Sequence, residues 1–107
     1  MENQVQKKIA EEVKANPIIM YVKGSRQMPM CGFSKAVMDV FGSLGVPFET
    51  RDVLSDPELR DGIKQYTNWQ TIPQIFIKGE FIGGCDIVRD LYQRGELQKM
   101  VKAAVGE

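Results

Sequence analysis

The stretch QIFIKGEFIGG, residues 74–84, sets two short apolar runs on either side of only two residues, Lys78 and Gly79. That spacing predicts a tight antiparallel hairpin, with Gly79 supplying the positive φ the turn requires. Upstream, Ile18 to Val22 is a brief apolar run without helical periodicity, which predicts a buried strand, and Phe48 to Val53 alternates as a second. Between them Phe33, Val37, Val40, Phe41 and Leu44 recur at helical spacing, and Gly45 and Pro47 end that helix. A crossover helix leaves its two strands parallel, whereas a two-residue turn makes them antiparallel. The four strands are therefore expected in one mixed sheet.

Further helices complete the chain. Val5, Ile9 and Val13 recur every four residues among charges and predict an amphipathic helix that stops at Asn16-Pro17, since the residue before proline avoids helical geometry. Ser55-Asp56-Pro57-Glu58 carries a capping-box spacing and a proline in the first turn, so a helix is expected from there to Asn68, burying Leu59, Ile63 and Tyr66. Asp86 to Arg94 and Glu96 to Ala104 read as two short helices divided by Gly95, burying Ile87, Val88, Leu91, Leu97, Met100 and Val101. The order α-β-α-β-α-β-β-α-α places helices on both faces of a mixed four-stranded sheet. This α/β arrangement is the layout of a thioredoxin-like fold. With 107 residues, 43% of them apolar, one domain spanning 1–107 is expected.

Composition narrows the chemistry. The chain has no histidine, which excludes His-ligated metals and His general bases. Its 14 Lys and Arg balance 14 Asp and Glu, so no net field draws it to nucleic acid. The first residues are charged throughout and lack the apolar core of a signal peptide, and no later run is long enough to span a membrane. The two cysteines, Cys31 and Cys85, match neither a zinc pair nor a dense disulfide framework. A reducing, cytoplasmic setting is expected, without nucleic-acid or membrane partners.

Cys31 falls at or just before the start of the second helix. There it would meet unpaired backbone N–H groups and the positive end of the helix dipole, both of which favour the thiolate, and Lys23 can add a cation. Pro29 before it and Gly32 after it favour exposure in a loop-to-helix turn. The alternative is a buried, inert cysteine. A dithiol reductase would carry a second thiol three residues on, but Ser34 occupies that place.

The runs KGSRQMPMCGFS, NWQTIPQIFIKGEFIGGCD and LYQRGEL together resemble a monothiol glutaredoxin of the CGFS class in its short single-domain form. The resemblance covers nearly the whole chain, with one departure: Gln70 stands where the family usually has proline. It implies glutathione as a partner and a [2Fe-2S] cluster at a dimer interface. Such a cluster usually needs four thiolates, which two copies of Cys31 and two glutathiones would supply. Ser34 cannot form a disulfide with Cys31 and expel the metal. The resemblance also implies iron–sulfur acceptor apoproteins and a BolA-like heterodimer partner. The alternative function is a glutathione-dependent thiol–disulfide oxidoreductase acting through Cys31 alone.

The family pattern also assigns a tripeptide site. Lys23, Arg60 and Lys64 would meet the glycine carboxylate, although solvated surface charge is the plainer reading of the last two. Thr71-Ile72-Pro73 resembles a cis-proline loop whose backbone pairs with the tripeptide like an added strand, so a cis Ile72–Pro73 bond beside Cys31 is expected. Gly84, Cys85 and Asp86 open a helix whose N–H groups would hold the γ-glutamyl carboxylate, with the Asp86 side chain near the amine; Asp86 would also serve as the helix cap. Cys85 admits three readings: partner to Cys31 under oxidation, cluster ligand, or backbone contact, of which the family implies the last. Phe33 is expected to contribute to the site, and Trp69 to pack without a site role.

Overall fold

The computed structural model describes residues 4–106; the outermost residues of the expected 1–107 domain lie outside the described residues. The elements follow in the expected order: α1 (Gln4–Ala15), β1 (Ile18–Val22), α2 (Gly32–Ser43), β2 (Glu49–Asp52), α3 (Pro57–Thr67), β3 (Gln74–Ile77), β4 (Glu80–Gly83), α4 (Cys85–Gln93) and α5 (Glu96–Val105). The strands form one sheet in the order β2-β1-β3-β4. β1 pairs with β2 in parallel and with β3 antiparallel, and β3 pairs antiparallel with β4. This is the mixed, thioredoxin-like sheet.

Alternation along the two central strands sorts the core into two layers. Ile18, Met20, Val22, Ile75 and Ile77 face α2, α4 and α5, where they meet Val37, Phe41, Val88, Leu97 and Val101. Ile19, Tyr21 and Phe76 face the other way, onto Ile9 and Val13 of α1 and Leu59 and Ile63 of α3. Both central strands are consequently buried along their whole length. The edge strand β2 leaves its four residues half-buried or exposed and is tied to α1 by charge instead. Arg51 donates to Glu12 at 2.7 Å, and the Tyr21 hydroxyl donates to the other oxygen of that carboxylate at 3.0 Å. Burial, with Glu12 adjacent, pushes the Tyr21 hydroxyl far above its ordinary range.

Four local expectations change. The cap of α3 is Asp56, whose side chain accepts from the Leu59 N–H at 3.1 Å, while Ser55 donates to the Asp52 carbonyl. With proline at the next position, Asp56 is one residue nearer the helix and supplies the stronger, anionic acceptor. The hairpin turn has positive φ at both central residues, 53° at Lys78 and 80° at Gly79, the pairing whose twist matches the flanking strands. Tyr66 keeps 38% of its surface, its ring leaning on Phe76 at 6.1 Å. Ile87 keeps 39%, because it stands on the side of α4 that faces a groove instead of the core.

Close packing of α1 on α3 depends on Gly62. A Cβ there would come within 2.4 Å of Val5 Cγ1, and the Gly62 carbonyl accepts from Gln6 Nε2 at 2.8 Å. Alanine is favoured over glycine in a helix by about 1 kcal/mol, yet overpacking of this kind costs about 1–3 kcal/mol. Gly62→Ala is therefore expected to lower the melting temperature, and adding Val5→Ala to recover most of the loss. A rise in melting temperature for Gly62→Ala alone would contradict this packing.

Candidate functional site

Leaving β1, the chain turns through residues 24–30 before entering α2. The loop is closed by Met30 N–H donating to the Lys23 carbonyl at 2.9 Å and Ser25 N–H to the Met28 carbonyl at 3.1 Å. Gly24 is required in it: its φ is +93°, and a Cβ would lie 2.4 Å from the Met28 carbonyl oxygen. Two contacts hold the loop to its neighbours. The Asp52 carboxylate accepts from the Gly24 and Leu54 N–H groups at 2.9 and 2.8 Å, and the Arg26 guanidinium lies 4.0 Å from the centre of the Phe48 ring.

This closure sets Cys31 at the N-cap of α2 in extended conformation, half-buried and free. Its thiol is held below the ordinary range chiefly by the Ser34 backbone N–H, then by the Phe33 N–H and the Ser34 hydroxyl, with Lys23 adding a smaller attraction. Partial burial opposes these effects without reversing them. Ser34 itself is fully buried and accepts from the Lys23 N–H at 3.1 Å. That bond occupies its acceptor side and leaves the hydroxyl hydrogen for the sulfur.

From Cys31 a groove of about 820 Å³ runs over the ends of the strands. It is lined by Lys23, Cys31 and Phe33, by Leu54, Arg60 and Lys64, by Trp69 to Pro73, and by Gly84 to Ile87. The Ile72–Pro73 bond is cis, as expected. Gly84 packs against it so closely that a Cβ would sit 3.2 Å from the Pro73 carbonyl oxygen. The first-turn N–H groups of a helix have no intrahelical acceptor, and Cys85 and Asp86, the first residues of α4, border the groove. The cap of α4 is Gly84, without a side-chain bond, so Asp86 lies inside the first turn and is not the cap.

All eleven candidate site residues, Cys31, Lys23, Phe33, Arg60, Lys64, Thr71, Ile72, Pro73, Gly84, Cys85 and Asp86, line this one groove. Four others do so as well: Leu54, Trp69, Gln70 and Ile87. Trp69, expected only to pack, does both, with one edge against Phe81 at 5.7 Å and 37% of its surface exposed. Its place beside the Thr-Ile-Pro loop was the signal available in the sequence. Cys85 is 7% exposed, and burial pushes its thiol up, offset in part by Arg89.

Known proteins give the groove a family. The glutaredoxin family model matches residues 18–82, and an uncharacterized monothiol glutaredoxin (ycf64-like) of Synechocystis sp. is 50% identical over 98% of each chain. The chain belongs to the glutaredoxin family. Within that family it is a monothiol member of single-domain size. Two solved structures resemble this glutaredoxin in fold. The holo form of glutaredoxin C1 from Populus tremula x tremuloides has a TM-score of 0.85 at 25% identity, covering 96% of this chain and 91% of that one. A buckwheat glutaredoxin–glutathione complex has a TM-score of 0.80 at 25% identity, covering 97% and 96%.

The two thiols of this glutaredoxin are thus pushed in opposite directions, Cys31 down and Cys85 up from 9.0. Alkylation by iodoacetamide, followed residue by residue against pH, is expected to show Cys31 with its midpoint below 9.0 and Cys85 above. Ser34→Ala should move the Cys31 midpoint upward and slow its alkylation at neutral pH by a factor on the order of a few-fold, through loss of one bond to the anion. Because the folded value is lowered, the stability this thiolate contributes is full above 9.0 and is lost as pH falls through the folded value. An unchanged midpoint in Ser34→Ala would remove the hydroxyl from this account.

Proposed function

We propose that this glutaredoxin holds a glutathione-ligated [2Fe-2S] cluster shared between two copies of the chain and passes it to iron–sulfur acceptor apoproteins, in a reducing compartment such as the cytoplasm. The observation that carries this reading is a single acidified thiol, Cys31, at the mouth of a groove fit for a tripeptide, with the unreactive Ser34 where a resolving thiol would be.

The donor set fits such a group only if ligands come from outside the chain. Among the described residues no three His, Cys, Asp or Glu side chains converge, and a [2Fe-2S] cluster usually takes four thiolates. One Cys31 from each of two chains and one thiol from each of two glutathiones complete that number. Around Cys31 the surface is apolar and uncovered: Met28, Met30 and Phe33 keep 69, 61 and 61% of their surface. A patch of this kind is suited to burial against a second subunit. The same face suits a BolA-like partner, which would replace one copy in a heterodimer. When bound, the cluster supplies a transferable iron–sulfide unit.

The chain's own residues then bind and orient the tripeptide. Lys23, Arg60 and Lys64 attract its glycine carboxylate; Ile72, beside Thr71 and the cis-proline, offers backbone hydrogen bonds to its extended chain. The N–H groups of Cys85 and Asp86 face its γ-glutamyl carboxylate, and Asp86 its amine. Phe33 shields the sulfur. Gly84, lacking a side chain, lets the ligand approach, and Cys85 contributes its backbone, its buried thiol remaining protonated.

Anaerobic reconstitution with iron, sulfide and glutathione tests the proposal. Wild-type protein is expected to turn reddish-brown and to double in mass under native conditions. Cys31→Ser should lose the colour, while Cys85→Ser should keep most of it; equal loss in both would assign the ligands to four protein cysteines. Protein that stays colourless and monomeric with glutathione in excess overturns the reading. Rapid turnover of a glutathione mixed disulfide without iron would then favour the oxidoreductase.

A further inference from the structure

Apart from the Tyr21 hydroxyl, two polar side chains among the described residues are fully buried, Ser34 and Gln74. Gln74 opens β3, directly after the cis-proline. Its Oε1 faces the Thr67 hydroxyl at 2.8 Å, and its Nε2 donates to the carbonyls of Trp69 at 2.8 Å and Thr71 at 3.3 Å. Thr67 Oγ1 lies 3.0 Å from the Ile63 carbonyl and accepts from the Trp69 N–H at 3.2 Å; its one hydrogen serves Gln74, the shorter of its two acceptor contacts.

One carboxamide therefore uses both its hydrogens and its oxygen, and what it grips is the segment 69–71 that walls the groove. A buried carboxamide without partners is strongly disfavoured, and Gln74 Nε2 finds both its acceptors in the carbonyls of Trp69 and Thr71. The Trp69 ring and the backbone at Ile72 are left on the groove side. We propose that Gln74 is a positioning residue for ligand binding: it fixes this wall in the shape that receives an extended tripeptide. The inference rests on reading the groove as a glutathione site. Glutamate has the same shape but, ionised, only accepts, and leucine does neither; glutamine alone satisfies two carbonyls and a hydroxyl from this position.

The test uses the full chain, with Gln74→Glu and Thr67→Val, at a temperature where circular dichroism shows each folded. Trp69 is the only tryptophan, so acrylamide quenching of its fluorescence without glutathione reads the wall directly. Quenching is expected to rise in Gln74→Glu, glutathione Kd by calorimetry to weaken about tenfold, and the Cys31 alkylation midpoint to stay unchanged. Thr67→Val should move both readouts in the same direction by less. A variant that lowers melting temperature but binds glutathione as wild type does would overturn the proposal, because a purely structural role moves only the first. If Gln74→Glu does not fold, Thr67→Val decides by the same readouts. If wild-type protein itself binds no glutathione, the tripeptide assignment fails, and quenching alone decides whether Gln74 holds the wall: unchanged quenching overturns it.

Discussion

β1 has five residues and none of them reaches solvent. A strand in that position needs hydrogen-bonding partners along both edges and an apolar layer on both faces. The parallel neighbour β2 and the antiparallel neighbour β3 supply the edges; the two helical layers supply the faces. Because β2 must be reached by a crossover, α2 starts beyond the end of β1, and the loop between them carries Cys31 at the sheet's end. Because β3 runs the other way, its start, with Pro73 and Gln74 before Ile75, arrives at that same end. The groove exists where these two requirements meet.

The acidity of the thiol is set by short-range groups. Backbone N–H groups of the first helical turn come first among the causes, and the Lys23 charge last. Hydrogen bonds from fixed donors do not fade with ionic strength as an exposed ion pair does. A site that relies on them loses little of this stabilisation when salt screens Lys23. On the proposed reading, the cations Lys23, Arg60 and Lys64 and the Cys31 sulfur serve different atoms of one ligand.

Element order, sheet type and the position of Cys31 were legible because they follow from local signals: a two-residue turn at Lys78-Gly79, a proline after Asn16, and helical spacing that begins just past Cys31. The groove residues to which the motifs assign no role were not. An apolar position on a helix reads the same whether it faces a core, a cleft or solvent, which is why Ile87, which lines the groove, and Tyr66 were expected to be buried and keep more than a third of their surface. Leu54 and Trp69 reach the groove from loops, where no periodicity points anywhere and, for Trp69, only its place beside the Thr-Ile-Pro loop gave a signal. The motif resemblance placed Thr71, Ile72, Pro73, Gly84, Cys85 and Asp86 near one another, and these residues do line one groove. It said nothing of Gln74, because a single glutamine between a proline and an apolar run carries no pattern; its importance lies in three partners that only the folded chain brings within reach.

Ser34 shows why one thiol is enough here and a second would work against the site. Its hydroxyl accepts from the Lys23 N–H at 3.1 Å and faces the Cys31 sulfur. A thiol in its place would be both a weaker acceptor and a weaker donor. The Lys23 N–H, at the end of the central strand, would lose much of its bond, and Cys31 would lose a donor that favours its anion. The larger sulfur would also have to fit a position with no free surface. It would bring in addition an oxidisable neighbour, able to close a disulfide and take Cys31 out of service. A single hydroxyl therefore secures the end of β1, the acidity of Cys31 and its isolation as a lone thiol, and no single substitution at position 34 to a thiol leaves all three in place.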